Sequence, residues 1–115
     1  MQYMMLIIGD ESRFNQEQDS PVNPEFQAYV AALAKAGVMK GGERLRPTRA
    51  TKRVTVREGK TRIIDGPYAE TREQLGGFFI LEVADEAEAL SWAERCPAAQ
   101  YGTIEVRQVV PSPRP

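Results

Sequence analysis

Two short runs of the chain are apolar at almost every position, and they restrict the fold more than any other feature. The first run is YMMLII, residues 3–8, and the second is FFILEV, residues 78–83. Alternate residues of an extended strand point to opposite faces, so each run places apolar side chains on both faces. Runs of this length are typical of strands. The sequence therefore predicts two strands that are buried on both sides.

Two helices are predicted from capping residues and from the spacing of apolar side chains. Asn23 is a favourable N-cap before Pro24, and Gly37 is a natural C-terminal cap. Between these caps the apolar residues recur at helical spacing: Phe26, Tyr29, Val30 and Leu33. A second helix follows Asp85, because Glu88 stands three residues further on, at the spacing of a capping box.

The remaining strands are shorter and more polar. Residues 38–45 predict a short strand in which Gly41-Gly42 marks a bulge or a close approach of two backbones. Residues 51–57 and 60–65 predict a β-hairpin, which its polar character places towards an edge of the sheet. Residues 101–110 predict the last strand.

Three segments are predicted to lack helix and strand. Residues 9–23 are polar without a clear period, which indicates a mobile loop. Residues 70–75 are polar and turn-like, and the proline-rich residues 111–115 indicate a disordered tail. With 115 residues the chain is expected to form one domain, spanning residues 1–110.

The order of the predicted elements indicates an α+β fold, a ferredoxin-like βαββαβ arrangement with a hairpin elaboration. Two helices can cover only one face of such a sheet. The doubly apolar strands would then leave a large apolar patch in water on the other face. The simplest solution is a homodimer whose sheets pack face to face.

Composition excludes several classes of function. The net charge is −1, which argues against broad electrostatic binding to nucleic acid or to an anionic membrane. The apolar start is too short for a membrane span and lacks the basic flank of a signal peptide, so a cytoplasmic location is expected. The single cysteine, Cys96, fits a reducing compartment. The chain has no histidine, so it can form neither a Ser-His-Asp triad nor a histidine-based metal site, and no cofactor or metal is expected.

Four motifs carry a resemblance to a known family. They are YMMLIIGDE at residues 3–11, GGERL at 41–45, DGPYAETREQLGGFFILEVAD at 65–85 and GTIEVRQV at 102–109. Together they resemble the YCII-related, or DGPF-domain, family, with Tyr68 in place of the phenylalanine of that name. The resemblance implies a dimeric α+β barrel with its helices outside. It also implies a regulatory setting, with a functional link to an extracytoplasmic-function sigma factor.

The candidate site lies where rigid turns and strand faces present polar groups. Asp65 ends a strand at a rigid Asp-Gly-Pro turn and is the candidate general acid or base, although a turn-capping role is the more common use of such a residue. Glu105 and Arg107 lie on one strand face, where they either line the barrel cavity or form a structural ion pair. Three further residues are candidates for ligand binding: Tyr3, Tyr68 and Gln74.

Three functions remain open from the sequence. The first is binding of an unknown small molecule in the cavity of the dimer. The second is an enzyme that uses Asp65, although the histidine–aspartate pair that the resemblance implies for some family members is absent here. The third is a protein-interaction module that uses the loop at 9–23 or the tail. Whether the protein is an enzyme at all is not decided by these residues.

Overall fold

The strands and helices follow the predicted order, in a computed structural model that describes residues 1–11, 23–69 and 71–112. Within these residues the elements are β1 (Gln2–Asp10), α1 (Pro24–Ala36), β2 (Met39–Arg44), β3 (Lys52–Arg57), β4 (Lys60–Asp65), β5 (Glu73–Glu82), α2 (Glu86–Arg95) and β6 (Thr103–Gln108). Short 3-10 turns lie at Thr48–Ala50 and Pro97–Gln100. Neither described helix is long and apolar enough to cross a membrane.

Four strands form one antiparallel sheet in the order β2-β5-β1-β6. This arrangement confirms the α+β class and is compatible with the predicted ferredoxin-like fold, with β3 and β4 inserted between its second and third strands. The prediction that the β3–β4 hairpin lies towards an edge of this sheet is wrong, because the hairpin forms a separate two-stranded sheet. Pro47 has no N–H to continue the ladder of β2, and a 3-10 turn follows it.

The helices begin as their capping residues predict. The side chain of Asn23 accepts a hydrogen bond from the Phe26 N–H at 2.9 Å, and Gly37 ends α1 with φ of +73°. At α2 the Glu88 N–H donates to the Asp85 carboxylate at 2.9 Å. The Glu88 carboxylate accepts from the N–H of Ala84, one residue before the N–H that a capping box uses.

The core lies between the two helices and one face of the main sheet. On β1, Tyr3, Met5 and Ile7 are buried, whereas Met4, Leu6 and Ile8 are only partly buried. On β5 the buried side chains are those of Phe79 and Leu81. The helices contribute further buried residues: Tyr29, Leu33, Ala89, Trp92 and Ala93. This alternation shows that the helices cover only one face of the sheet.

Several strand boundaries differ from the predicted ones, among them those of β5, β1 and β6. β5 begins at Glu73, so the end of the predicted loop at 70–75 belongs to the strand. β1 extends to Asp10, and β6 ends at Gln108. A register shift between Ile7 and Ile8 accommodates the extra length of β5. Most of the predicted loop, residues 12–22, and the last three tail residues lie outside the described residues.

Tyr29 links the two helices through its hydroxyl. That hydroxyl donates to the carbonyl oxygen of Trp92 at 2.6 Å, and the ring packs edge-on against Phe79 and Trp92. Tyr29→Phe removes this buried hydrogen bond to the Trp92 carbonyl. We expect a loss of about 1–2 kcal/mol in the free energy of unfolding, measured by urea denaturation with Trp92 fluorescence.

The same variant has an expected pH signature. Burial raises the pKa of Tyr29 above its ordinary value, so the native state keeps this hydroxyl neutral at a pH where the unfolded chain ionises it. This contribution to stability is complete below the unfolded pKa of about 10 and is lost as the pH rises above it. Tyr29→Phe should lessen the alkaline loss. Tyr68→Phe is the control, because Tyr68 is 94% exposed; equal destabilisation by both variants would contradict the assignment.

Candidate functional site

The face of the main sheet that lies away from the helices carries six apolar side chains. They are Met4, Leu6 and Ile8 on β1 and Leu75, Phe78 and Ile80 on β5, and we call this set the open face. Each is partly buried except Leu75, which is 41% exposed. The strand register places them side by side, with Met4 opposite Ile80 and Leu6 opposite Phe78. The open face is therefore a continuous apolar surface in the centre of the sheet.

Charged residues border the open face on both edge strands. Glu105 of β6 lies opposite Leu6, and Glu43 of β2 lies opposite Phe78. These four residues form one row across the sheet, in which an acidic residue on each edge strand flanks two apolar residues on the central strands. In the next row Arg107 lies opposite Met4.

Glu105 and Arg107 occupy the face that sequence parity predicted, because Ile104 and Val106 pack against the core on the other side. Both charged residues are exposed. Within the described part of one protomer neither forms an ion pair. Their charged groups are therefore available to a ligand or to a second protomer.

A second set of polar contacts lies at the end of β1. The carboxylate of Glu11 accepts hydrogen bonds from the backbone N–H and the hydroxyl of Thr48, both at 2.7 Å. The Asp10 carboxylate lies 3.3 Å from the Nε of Arg72. These contacts fasten the end of β1 to the turn after β2 and to the segment before β5.

Gln74 organises the loop that follows the Asp-Gly-Pro turn. Its side-chain amide donates to the carbonyl oxygens of Ala69 at 2.8 Å and Thr71 at 3.1 Å. These bonds close the loop onto the start of β5. The amide nitrogen is thus occupied within the loop, although the sequence presented Gln74 as a candidate for ligand binding.

Asp65 lies at the base of the β3–β4 hairpin. Its carboxylate pairs with Lys52 across the hairpin, and its side chain is 80% exposed. The hydrogen bond from Lys52 lowers the pKa of Asp65 below its ordinary value. A general acid or base at neutral pH needs the opposite shift, which burial normally supplies. The geometry therefore favours a structural role for Asp65 over acid–base chemistry.

The two candidate tyrosines lie apart from the open face. Tyr3 is 3% exposed and points into the core beneath the helices. Tyr68 follows the Asp-Gly-Pro turn and is 94% exposed. Of the predicted site residues, the structure thus brings only Glu105 and Arg107 to the open face.

Glu43 was not predicted as a site residue. Its position on the border follows from the register of β2, which slips between Met39 and Gly41. The sequence signal was the Gly41-Gly42 pair, which predicted a bulge without giving its register. Among the described residues no group of three or more His, Cys, Asp or Glu side chains is arranged to hold a metal ion.

Comparison with known proteins gives the family of this chain. A family model for the YCII-related domain matches residues 1–113. The chain belongs to the YCII-related family. This YCII-related protein is also 36% identical over 112 residues to an uncharacterized protein of Rhizobium meliloti (strain 1021). The alignment covers 93% of this chain and 90% of that protein.

The motifs that carried the resemblance map onto the main sheet of the YCII-related protein. The motif at 3–11 includes most of β1, and the motif at 41–45 includes most of β2. The motif at 65–85 contains β5, and the motif at 102–109 contains β6. Each of the four strands beneath the open face therefore lies mainly or wholly within one motif.

Proposed function

We propose that this YCII-related protein is a homodimer that binds a small molecule between the open faces of two protomers. The observation that carries the proposal is the open face itself. Six apolar side chains lie together on a sheet face that neither described helix covers. Packing this face on its own copy removes both apolar surfaces from water at once.

The border residues support a cavity between the sheets and indicate the chemistry of its occupant. Small-molecule sites are mostly apolar, with a few polar groups that orient the ligand. Here the apolar residues supply the floor, and two-fold symmetry supplies two copies each of Glu43, Glu105 and Arg107. A ligand with an apolar body and an anionic group fits this set, because an arginine binds carboxylates and phosphates through two parallel hydrogen bonds.

The enzyme that uses Asp65 is the second candidate, and its support is weaker. The lowered pKa and the exposure of Asp65 oppose it. A sensing role in a regulatory setting, with a link to a sigma factor, is supported by the family resemblance alone. We therefore place binding before catalysis.

Native mass spectrometry of freshly purified protein, followed by titration with a probe, tests the proposal. We expect a dimer, with or without a retained small molecule. The probe is 8-anilinonaphthalene-1-sulfonate, an apolar anion. Arg107→Gln should weaken its saturable binding about tenfold, since a hydrogen bond to a charged group contributes about 1.5 kcal/mol.

Asp65→Asn is the control for this titration. It also removes one charge from an exposed side chain, in this case a negative charge at the base of the hairpin. We expect probe affinity to stay at the parent value. A monomer at micromolar concentration would refute the proposal, and so would equal loss of affinity in both variants.

A further inference from the structure

The β3–β4 hairpin, residues 52–65, is an exposed two-stranded sheet with two unlike faces, and we call it the arm. Its strands pair from Lys52–Asp65 to Arg57–Lys60. The connecting residues Glu58 and Gly59 both have positive φ, at 52° and 76°, as a tight hairpin turn requires. The two strands of the arm are thus paired along their full length, from the base at Lys52 and Asp65 to the turn.

One face of the arm is aliphatic and open to solvent. Val54, Val56 and Ile63 point to the same side, because Val54 pairs with Ile63 and Val56 lies two residues along. They are 62%, 57% and 67% exposed. A two-stranded hairpin is marginally stable in water unless its apolar face is covered. Three β-branched side chains left bare on such a hairpin indicate a partner.

The other face of the arm is basic. It carries Arg53, Arg57, Lys60 and Arg62. The arm, residues 52–65, holds five basic and two acidic residues, whereas the rest of the chain holds ten basic and fourteen acidic residues. The near-zero net charge thus conceals a cationic arm attached to an acidic body. An arm of this charge is attracted to a second copy of that body.

The size of the sheet also favours a second copy as the partner. Four strands about 4.8 Å apart, each about 20 Å long over six residues, give the main sheet a flat face of roughly 400 Å². A stable interface buries about 800 Å² on each partner. An arm face of two strands adds roughly 200 Å². In a two-fold dimer each protomer packs its own arm on the partner and is contacted by the partner's arm. These two contacts supply most of the area that the sheet face alone lacks.

We infer that the arm clasps a second copy of this chain, with Val54, Val56 and Ile63 packed on the partner beside its open face. The inference rests on the proposed dimer and adds a second, exchanged part to its interface. It gives the aliphatic face a cover that the described part of a single protomer does not provide. It also gives the arm's charge a role in drawing the two acidic bodies together.

Sedimentation equilibrium of a polar arm variant tests the energetic part of the inference. Val54→Thr with Ile63→Thr keeps the β-branched shape and strand propensity while removing apolar surface. We expect the dimer dissociation constant to rise at least tenfold at both low and high salt. The control, Arg57→Gln with Lys60→Gln, alters the opposite face and should mainly change the salt dependence of dimerisation.

Photo-crosslinking tests the geometry. Cys96 is 1% exposed, so a cysteine placed on the arm can be labelled selectively with benzophenone maleimide. Val56→Cys should give covalent dimers on irradiation. Arg57→Cys, the next residue on the opposite face, should give few.

The outcomes separate this inference from the proposed function. A parent protein that is monomeric overturns both. A parent dimer whose dissociation constant is unchanged in the Val54→Thr, Ile63→Thr variant, and which gives no crosslink from position 56, overturns the arm alone. If position 56 forms crosslinks only when duplex DNA is added, the arm binds nucleic acid and the inference is overturned.

Discussion

Phe78→Glu is expected to convert the protein into a monomer at micromolar concentration. Phe78 lies in the central row of the open face, between Leu6 and Glu43. In the proposed dimer each copy of the variant would bury a carboxylate in an apolar contact, at a cost of several kcal/mol per charge. A loss of about 4 kcal/mol raises the dissociation constant about a thousandfold. Sedimentation velocity across a concentration series measures the change directly.

Leu90→Glu is the matched control for this variant. Leu90 is also apolar, lies on α2 and is 51% exposed, so the substitution makes the same chemical change on the helix side of the molecule. We expect this variant to remain a dimer. Trp92 fluorescence and circular dichroism should show that both variants fold. A folded Phe78→Glu protein that sediments like the parent dimer would contradict face-to-face packing.

The features that sequence predicted well are local ones. The N-caps Asn23 and Asp85 act on N–H groups three residues away, so their effect is visible within a few positions. The alternation along residues 3–8 and 104–107 likewise needs only the two-residue period of a strand. That period placed Glu105 and Arg107 on the open face.

The features that sequence missed depend on contacts between distant segments. Asp65 was predicted as the candidate general acid or base, but its position is set by the hairpin, which leaves the main sheet after Pro47. Tyr3 is polar only at its hydroxyl. It lies on the same face of β1 as Met5, and this face is buried beneath the helices. Glu43 reaches the border of the open face through a register slip that no local pattern specifies. Whether each of these residues reaches the open face is therefore decided by its position relative to the main sheet and not by its residue type.

The net charge of the whole chain likewise does not show how the charged residues are distributed over the fold. The balance of 15 basic and 16 acidic residues argued against broad electrostatic binding to nucleic acid or to an anionic membrane. The fold gathers basic side chains onto one hairpin face and leaves the body acidic. The fields of the two parts cancel at long distance but act separately within a Debye length of about 8 Å. Charge counted along elements is therefore more informative than charge summed over this chain.

Gly102→Ala is expected to destabilise the fold by about 2–3 kcal/mol, at the upper end of the usual cost of overpacking. Gly102 opens the GTIEVRQV motif, where the chain passes from the 3-10 turn into β6. A Cβ at this position would lie 2.5 Å from the carbonyl oxygen of Ile8 and 3.2 Å from that of Ala98. Both are backbone atoms, and the Gly102 N–H already donates to the Ala98 oxygen at 2.7 Å. Relief therefore requires β1 and the start of β6 to move apart.

Gly41→Ala separates this steric effect from the general effect of replacing a glycine. Among the described residues no atom lies within 4 Å of a Cβ placed at Gly41, and alanine restricts the unfolded chain more than glycine does. We expect the stability of this variant to equal or slightly exceed that of the parent. Both variants need urea denaturation at the same protein concentration, because association stabilises the folded state by mass action. Equal stability of the two variants would mean that β1 and β6 can separate at little cost, and that the tight approach at Gly102 does not fix their pairing.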